Sequence, residues 1–147
     1  MTESRLTPQE GSRLVAAAFA ARERAYVPYS HYAVGSALLD NKGNIHTGCN
    51  IENAAFTPTV CAERTAFFSA LKENIREFTA IAVVGGPAGS DPEGFAPPCG
   101  VCRQVMAEFC RADFEILLAS DKDNPVDYQV YTLAELLPLS FTSKDMN

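Results

Sequence analysis

Three cysteines and one glutamate, carried by two short segments, have residue types and spacings that can do chemistry. Cys99 and Cys102 stand three positions apart in the stretch Pro-Cys-Gly-Val-Cys-Arg. Glu63 follows Cys61 by two positions in the stretch Cys-Ala-Glu-Arg. Cysteines at such spacings occur in redox dithiols, in closed structural metal sites and in open catalytic metal sites. The Cys-X-X-Cys segment alone does not decide between these three.

A redox dithiol explains only part of the pattern. A Cys-X-X-Cys pair at the start of a helix has a lowered thiol pKa, because the helix N–H groups and the macrodipole favour the thiolate. Redox chemistry has no need, however, of a third cysteine such as Cys61 or of an acid two residues after it. The combined pattern therefore favours metal binding.

A zinc site makes use of all four side chains. Cys99 and Cys102 supply two thiolates at a common zinc-ligand spacing, and a catalytic site needs only one more protein ligand. The candidates for further ligands are Cys49, Cys61, Cys110, His31 and His46. Cys61 opens the preceding predicted helix and has Glu63 two residues later, as an open site with a neighbouring acid–base group would require. The remaining candidates are interpreted as buried cysteines and surface histidines.

The net charge of such a three-thiolate centre predicts a hydrogen-bond donor next to the sulfurs. Three thiolates around Zn²⁺ leave one excess negative charge, which weakens the ion as a Lewis acid. Hydrogen-bond donors to the sulfurs correct that excess. Arg64 and Arg103 each follow directly on a ligand segment. We expect Arg64 to be such a donor; the alternative for both arginines is an ordinary surface position.

Composition places these segments in one folded domain. The chain has 147 residues, 47% of them hydrophobic, so residues 1–147 are expected to form a single domain with its own core. No apolar run approaches the ~20 residues of a membrane span, and the polar first residues carry no signal-peptide pattern. Five cysteines cannot all pair within one chain. These features predict a cytoplasmic protein with reduced thiols and no membrane partner.

The charge balance excludes one class of partner. The formal net charge is −6, and the twelve Lys and Arg residues are scattered without a basic stripe. A polyanion needs a concentrated basic surface. We therefore expect no nucleic-acid partner and a small neutral ligand instead.

Helices and strands alternate in an order that would bring the two segments together. Helical patterns cover 7–26, 59–73, 99–109 and 132–137, and extended patterns cover 32–39, 45–51, 79–84, 114–119 and 129–131. This order predicts an α/β fold, a three-layer α/β/α sandwich around a mixed five-stranded sheet. Each cysteine segment opens a helix after a strand and a loop, which is where sites gather in such sheets.

Three stretches of the sequence resemble one known family. They are Thr-Gly-Cys-Asn-Ile-Glu-Asn-Ala at 47–54, Cys-Ala-Glu-Arg-Thr-Ala at 61–66 and Pro-Cys-Gly-Val-Cys-Arg-Gln-Val at 98–105. Together they are similar to the zinc-dependent cytidine deaminases of free nucleosides, in their short homotetrameric form. The resemblance covers nearly the whole chain.

The resemblance implies a metal centre and a reaction. Cys61, Cys99 and Cys102 would bind one Zn²⁺ per chain and leave the fourth position for water. Glu63 would not be a ligand but would move protons between that water and the base, as in zinc deaminases generally. The implied activity is hydrolytic deamination of cytidine and 2′-deoxycytidine to uridine and 2′-deoxyuridine plus ammonia, in pyrimidine salvage.

The resemblance also implies a set of substrate contacts. Asn50 and Glu52 would hydrogen-bond the ribose, and the backbone N–H of Ala62 would meet the base carbonyl. Tyr32 would pack on the base, and Phe141 would reach the site of a neighbouring subunit in a homotetramer. Without the resemblance these side chains are ordinary: two polar strand residues, a core aromatic and a tail aromatic.

Some residues depart from the family pattern, and two rival functions stay open. Phe56 stands where many relatives carry Tyr, Tyr32 replaces the usual Phe, and the loop 86–97 is long. These changes bear on substrate range and on subunit contacts. The first rival is a deaminase of a modified cytosine nucleoside such as blasticidin S, against which the pair Asn50 and Glu52 argues, because the pair suits an ordinary ribose. The second rival is a zinc-stabilised binding protein without turnover. Glu63 argues against it, because a structural site has no use for an unliganded carboxylate beside the metal.

Overall fold

Four α-helices and five β-strands follow one another in the predicted order. The computed structural model describes residues 1–147. The elements are α1 (Pro8–Arg22), β1 (Tyr32–Asp40), β2 (Ile45–Cys49), α2 (Ala62–Leu71), β3 (Phe78–Pro87), α3 (Gly100–Phe109), β4 (Glu115–Ala119), β5 (Tyr128–Thr132), α4 (Leu133–Leu136) and a final 3₁₀ turn (Ser143–Met146). None of the helices combines the length and the apolar character that crossing a bilayer would require.

The strands form a single mixed sheet in the order β2-β1-β3-β4-β5. β1 pairs antiparallel with β2 and β3, β4 pairs antiparallel with β5, and β3 and β4 are parallel. A parallel pair needs a crossover connection, and α3 supplies it here. The loop between β3 and α3 therefore leaves the carboxyl end of β3 and leads straight into the second cysteine segment.

Two hydrophobic clusters cover the two faces of the sheet. One joins the buried side chains of α1 to one face of the strands, including Leu14, Phe19 and Leu39. The other joins α2 and α3 to the opposite face, including Phe67 and Leu38. Leu38 and Leu39 fall on opposite sides because side chains alternate along a strand. These layers confirm the predicted α/β/α sandwich and place α2 and α3 side by side on one face.

The first helix begins as predicted and ends earlier. Thr7 and Glu10 form a capping box: the Glu10 N–H donates to Thr7 Oγ1 (3.2 Å), and the Thr7 N–H donates to Glu10 Oε1 (3.0 Å). The sequence predicts helix to about Tyr26, whereas α1 ends at Arg22. Tyr26 instead pairs with the segment after β2, donating its N–H to Asn50 O at 3.0 Å. This long-range backbone pairing replaces the last helical turn.

Candidate metal centre and substrate cavity

Two of the three predicted cysteine ligands occupy equivalent positions at the starts of two helices. Cys61 is the N-cap residue of α2 and Cys99 is the N-cap residue of α3, and neither side chain makes a capping hydrogen bond. Cys102 lies in the first turn of α3 and is buried. The unpaired N–H groups of both helix starts give this region a partial positive charge, which favours thiolates over thiols.

The spacing of the three sulfurs fits zinc. The Sγ atoms of Cys61 and Cys99 are 3.7 Å apart, and all three sulfurs lie within 4.8 Å of one another. Four ligands placed tetrahedrally at about 2.3 Å from Zn²⁺ stand about 3.8 Å from each other. The three thiolates can therefore hold one zinc ion and leave its fourth position for another ligand.

The other sequence-based ligand candidates lie outside this cluster. His46 Nε2 instead pairs with Asp40 Oδ2 at 2.9 Å, and Cys49 contacts the carbonyl oxygen of Arg24. Burial raises the pKa of Cys110, as expected for an inert thiol in apolar surroundings. With no fourth protein ligand at hand, the cluster has the composition of an open site.

Arg64 and Arg103 make different contacts beside the cluster. Arg64 Nη2 donates to the Sγ of Cys61 at 3.4 Å, and its Nε is buried without a hydrogen-bond partner. Arg103 donates to the carbonyl oxygens of Pro98 and Leu136, both at 2.7 Å, and not to a sulfur. Only Arg64 therefore supplies the positive charge that an anionic sulfur centre needs.

Hydrogen bonding within the cluster favours one thiolate. The hydrogen bond with Cys102, followed by those with Arg64 and Cys99, lowers the pKa of Cys61 to about 5 against the opposing effect of burial. The same bond with Cys61, together with burial, raises the pKa of Cys102. Of these two thiols, Cys61, which accepts from Arg64, is therefore the one favoured as a thiolate.

Glu63 is a buried carboxyl group next to the sulfurs. It lies in the first turn of α2 with 4% of its surface exposed, and it lines the same cavity as Cys61 and Cys99. Burial, with a smaller contribution from the negative charge of Cys61, raises the pKa of Glu63 to about 7. A carboxyl group with a pKa near neutrality can both accept and donate a proton.

The cavity beside the sulfurs has a volume of about 320 Å³. Its wall consists of Tyr32, Val34, Asn50, Cys61, Ala62, Glu63, Val83, Phe95, Ala96, Pro97 and Cys99. Pockets for small organic ligands run from about 300 to 1,000 Å³ and combine apolar walls with a few polar groups. This cavity has both properties, so it suits a small ligand whose reacting atom lies next to the sulfurs.

Two contacts that are absent from the sequence-based predictions bring α2 close to the sheet. The buried hydroxyl of Ser36 donates to the carbonyl oxygen of Ala62 at 2.8 Å. A Cβ atom at Gly48 would overlap the same carbonyl and the amide of Ala66, so α2 can come this close only to a glycine. The signal for Gly48 was available, because a glycine inside a strand often marks the close approach of another backbone. Ser36 left no signal.

The predicted contact residues Asn50 and Glu52 line different cavities. Asn50 lines the cavity beside the sulfurs: its Oδ1 accepts from the N–H of Val34 (2.9 Å) and its Nδ2 donates to the carbonyl of Tyr32 (2.8 Å). Glu52 lines a second cavity of about 390 Å³, together with Tyr29, Ser30, Phe56 and Thr59. Sequence reasoning missed that Asn50 also ties the start of β1 in place.

Glu52 is held by backbone donors. Its Oε1 accepts from the N–H groups of Ser30 (3.1 Å) and Tyr29 (3.0 Å). Hydrogen bonds from Ser30 and Tyr29 keep the pKa of Glu52 below its ordinary value. Glu52 is therefore a fixed carboxylate at neutral pH.

The other predicted contact residues differ in how close they come to the cavity. Ala62 is buried at the first position of α2, where the backbone N–H has no partner within the helix. Tyr32 lines the cavity and keeps 41% of its surface exposed. Phe141 does not line it: its side chain is 62% exposed, and its carbonyl accepts from Gln104 Nε2 at 2.8 Å.

Comparison with known proteins identifies the family. Residues 8–117 match the family model described as the cytidine and deoxycytidylate deaminase zinc-binding region. The chain belongs to this family. The match confirms the predicted family of zinc-dependent deaminases, and with it zinc as the cofactor that the three-sulfur cluster can hold. It leaves the redox dithiol without support.

Similar proteins share the chain over most of its length. A cytidine deaminase from Halalkalibacterium halodurans is 50% identical over 134 residues, which cover 91% of this chain and 96% of that protein. A cytidine deaminase from Sporosarcina psychrophila is 48% identical over 135 residues, 92% of this chain and 93% of that protein. The crystal structure of cytidine deaminase from Burkholderia pseudomallei superimposes with a TM-score of 0.78 at 46% identity, covering 88% of this chain and 97% of that one.

One of the predicted rivals also has a relative. A blasticidin-S deaminase from Bacillus cereus is 29% identical over 112 residues, which cover 74% of this chain and 76% of that protein. Its likeness is thus weaker and shorter than those of the two cytidine deaminases from Halalkalibacterium halodurans and Sporosarcina psychrophila.

Proposed function

We propose that this chain hydrolyses the exocyclic amine of cytidine and 2′-deoxycytidine, giving uridine or 2′-deoxyuridine and ammonia. The observation that carries the proposal is Glu63: a buried carboxyl group in the same cavity as three convergent cysteines, and not itself part of the sulfur cluster. The names of the most similar relatives support the choice of substrate.

The three cysteines and Glu63 divide the chemistry between them. Cys61, Cys99 and Cys102 would hold zinc, which would supply Lewis-acid chemistry and lower the pKa of a neighbouring water to about 7. Glu63 accepts a proton from the water that attacks C4 of the ring and delivers it to ring N3. It then takes the remaining proton of that water from the new C4 hydroxyl and passes it to the exocyclic amine, which leaves as ammonia. Arg64 balances the negative charge of the sulfurs through its bond to Cys61.

The remaining cavity residues orient the nucleoside. The free N–H of Ala62 meets the carbonyl oxygen of the base, and Tyr32 packs on the ring. Asn50 and Glu52 hydrogen-bond the ribose, which requires that the two cavities are used together. A fixed carboxylate at Glu52 accepts bonds from sugar hydroxyls and repels phosphate, so a nucleoside is preferred over a nucleotide or a polynucleotide.

We also propose an oligomeric state and a cellular location for the chain. The chain works as a homotetramer in the cytoplasm, a single domain in each subunit. The exposed aromatic side chains of Phe141 (62%) and Phe56 (71%) support subunit contacts, and Phe141 reaches the cavity of a neighbour. Light scattering of the purified protein tests the mass, and Phe141→Ala tests the shared site: we expect a raised KM for cytidine.

A direct assay tests the reaction. The absorbance of cytidine, followed with zinc-loaded protein, should fall as cytosine becomes uracil. Chelation of the metal should abolish the fall, and returning Zn²⁺ should restore it. A loss of activity that zinc does not restore would contradict the metal's role.

A substrate panel separates the rivals. Turnover of blasticidin S but not of cytidine would show that the chain is a deaminase of a modified cytosine nucleoside, the first rival function. Tight zinc binding without turnover of any aminated heterocycle would favour the binding protein. We expect cytidine and 2′-deoxycytidine to be turned over faster than blasticidin S.

A further inference from the structure

Arg22, in the last turn of α1, is a buried cation that pairs with no carboxylate. Only 6% of its surface is exposed. Its Nε donates to the carbonyl oxygen of Ala33 (3.0 Å), and its Nη2 donates to those of Gly86 (3.0 Å), Pro87 (2.8 Å) and Ser90 (3.0 Å). A buried charge is costly unless hydrogen bonds satisfy it. The four carbonyl groups converge on this guanidinium and provide those bonds.

The segments joined by Arg22 border the proposed substrate cavity. Ala33 lies between Tyr32 and Val34, which both line the cavity. Gly86 and Pro87 end β3, and Ser90 belongs to the loop that follows. This loop returns to the cavity, where Phe95, Ala96 and Pro97 form part of the wall, and it ends at the cysteine segment of α3.

Direct contacts connect the Arg22 bonds to that wall. A Cβ atom at Gly86 would lie 2.9 Å from the Cα of Pro92, so the middle of the loop rests on the backbone of β3. A Cβ atom at Gly85 would lie 2.8 Å from the Cβ of Ala96 and 3.3 Å from the ring of Tyr32. Since protein interiors are close-packed, a shift of the end of β3 would move Pro92 and Ala96 with it.

We infer that Arg22 is a positioning residue for substrate binding: it fixes the end of β3 and the first half of the 88–98 loop, so that residues 95–97 form the cavity wall. This inference rests on the proposed nucleoside deamination. Arg22 touches neither the sulfurs nor Glu63, which α2 and α3 carry. Its loss should weaken substrate binding and leave the chemical step in place.

Kinetics of the zinc-loaded Arg22→Gln variant test the inference. We expect KM for cytidine to rise about 10-fold, with kcat within about twofold of the unchanged protein, as for the loss of an interaction that is equal in ground and transition states. The zinc content should not change. Arg22→Lys keeps the charge but not the planar fork, and should restore KM only in part. Arg13→Gln, an exposed arginine on the same helix, is the matched control and should behave as the unchanged protein.

A second measurement does not depend on turnover. Amide hydrogen exchange in residues 88–96 should be faster in Arg22→Gln than in the unchanged protein, and unchanged in Arg13→Gln. If the unchanged protein fails to deaminate cytidine, the proposed function is wrong, while the exchange data still decide whether Arg22 fixes the loop.

Should Arg22→Gln fail to fold, Gly86→Ala displaces Pro92 with Arg22 intact and should raise KM in the same way. An unchanged KM with unchanged exchange, or a parallel loss of kcat and zinc, would overturn the inference.

Discussion

The two ends of the substrate cavity are built differently. At the sulfur end, Cys61, Glu63 and Cys99 come from two short segments at helix starts, and their side chains do the work. At the loop end, Arg22 donates hydrogen bonds to backbone carbonyls of Gly86 and Ser90, which lie far from it in the chain. By our inference, these bonds set the position of residues 95–97 in the cavity wall. In the proposed mechanism, side-chain identity therefore decides the chemistry, whereas long-range backbone contacts decide the shape of the cavity that would select the substrate.

The largest effect should come from the sulfur end. Glu63→Gln keeps the size of the side chain but removes its ability to move a proton. We expect kcat for cytidine to fall by about 10²–10⁴-fold, the usual contribution of a positioned acid–base group, with zinc content and KM nearly unchanged. Metal analysis and steady-state kinetics measure both. Glu108→Gln, an exposed glutamate on α3, is the control. Full activity in Glu63→Gln would disprove the proposed mechanism.

The second effect separates the two arginines beside the cluster. Arg64→Ala removes the donor to Cys61, and we expect zinc affinity or turnover to fall by about 10–100-fold. Arg103→Ala removes bonds to Pro98 and Leu136 only and should change zinc affinity less. Competition with a chromogenic chelator gives both affinities. Equal losses in the two variants would show that the bond to sulfur has no special role.

The third effect concerns the charge of Glu52. Glu52→Gln keeps an oxygen that accepts from Tyr29 and Ser30 but removes the negative charge. We expect kcat/KM for cytidine to fall by about 10-fold, equivalent to about 1.4 kcal/mol. Discrimination against cytidine monophosphate should fall as well, because the repulsion of phosphate is lost. If the variant still rejects the nucleotide as strongly, Glu52 is not the group that excludes it.

The smallest effect on activity should come from the far end of the sheet. Burial disfavours the charged form of Asp40, but hydrogen bonds from His46 and from the N–H groups of Asn44 and Lys42 outweigh it and lower the pKa of Asp40. A lowered carboxyl pKa contributes stability above the unfolded-state value of about 3.9, and this stability is lost as the pH falls through the folded-state pKa.

Asp40→Asn should therefore reduce the free energy of unfolding near neutral pH by about 1–3 kcal/mol, the cost of unsatisfied buried groups. The difference from the unchanged protein should shrink below about pH 4. Denaturant unfolding at several pH values measures it, and KM and zinc content should stay constant. A difference that is the same at every pH would rule out the Asp40 charge as its source.

The sequence predicted the sulfur end far better than the loop end. The three cysteines, Glu63 and the order of the elements follow from local motifs and periodicity, which is why the cluster and the sandwich could be anticipated. Arg22 gave no signal, since an arginine in the last turn of a helix normally faces solvent and favours the helix dipole. The early end of α1 was missed for a different reason: the pairing of Tyr26 with Asn50 joins residues far apart in the chain, and local periodicity does not show such a pairing.

Some of the predicted residue roles follow from local sequence spacing, and others depend on contacts between distant segments or subunits. Arg64 lies three positions after Cys61, so the contact between them follows from helix geometry. Whether Glu52 and Phe141 reach a substrate depends on neighbouring cavities or subunits, and no local pattern encodes that. Their roles stay predictions for the experiments above.

Zinc binding should also affect the stability of the fold, because Cys61 and Cys99 are 38 positions apart in the chain. An ion that holds both sulfurs would cross-link the start of α2 to the start of α3, and the chain between them includes all of β3. In an unfolded chain, closing a loop of that length costs entropy, so zinc binds the folded form far better and its binding energy adds to folding stability. The lifetime of the folded chain should therefore follow the supply of zinc in its surroundings, and metal starvation would remove the protein itself as well as its activity.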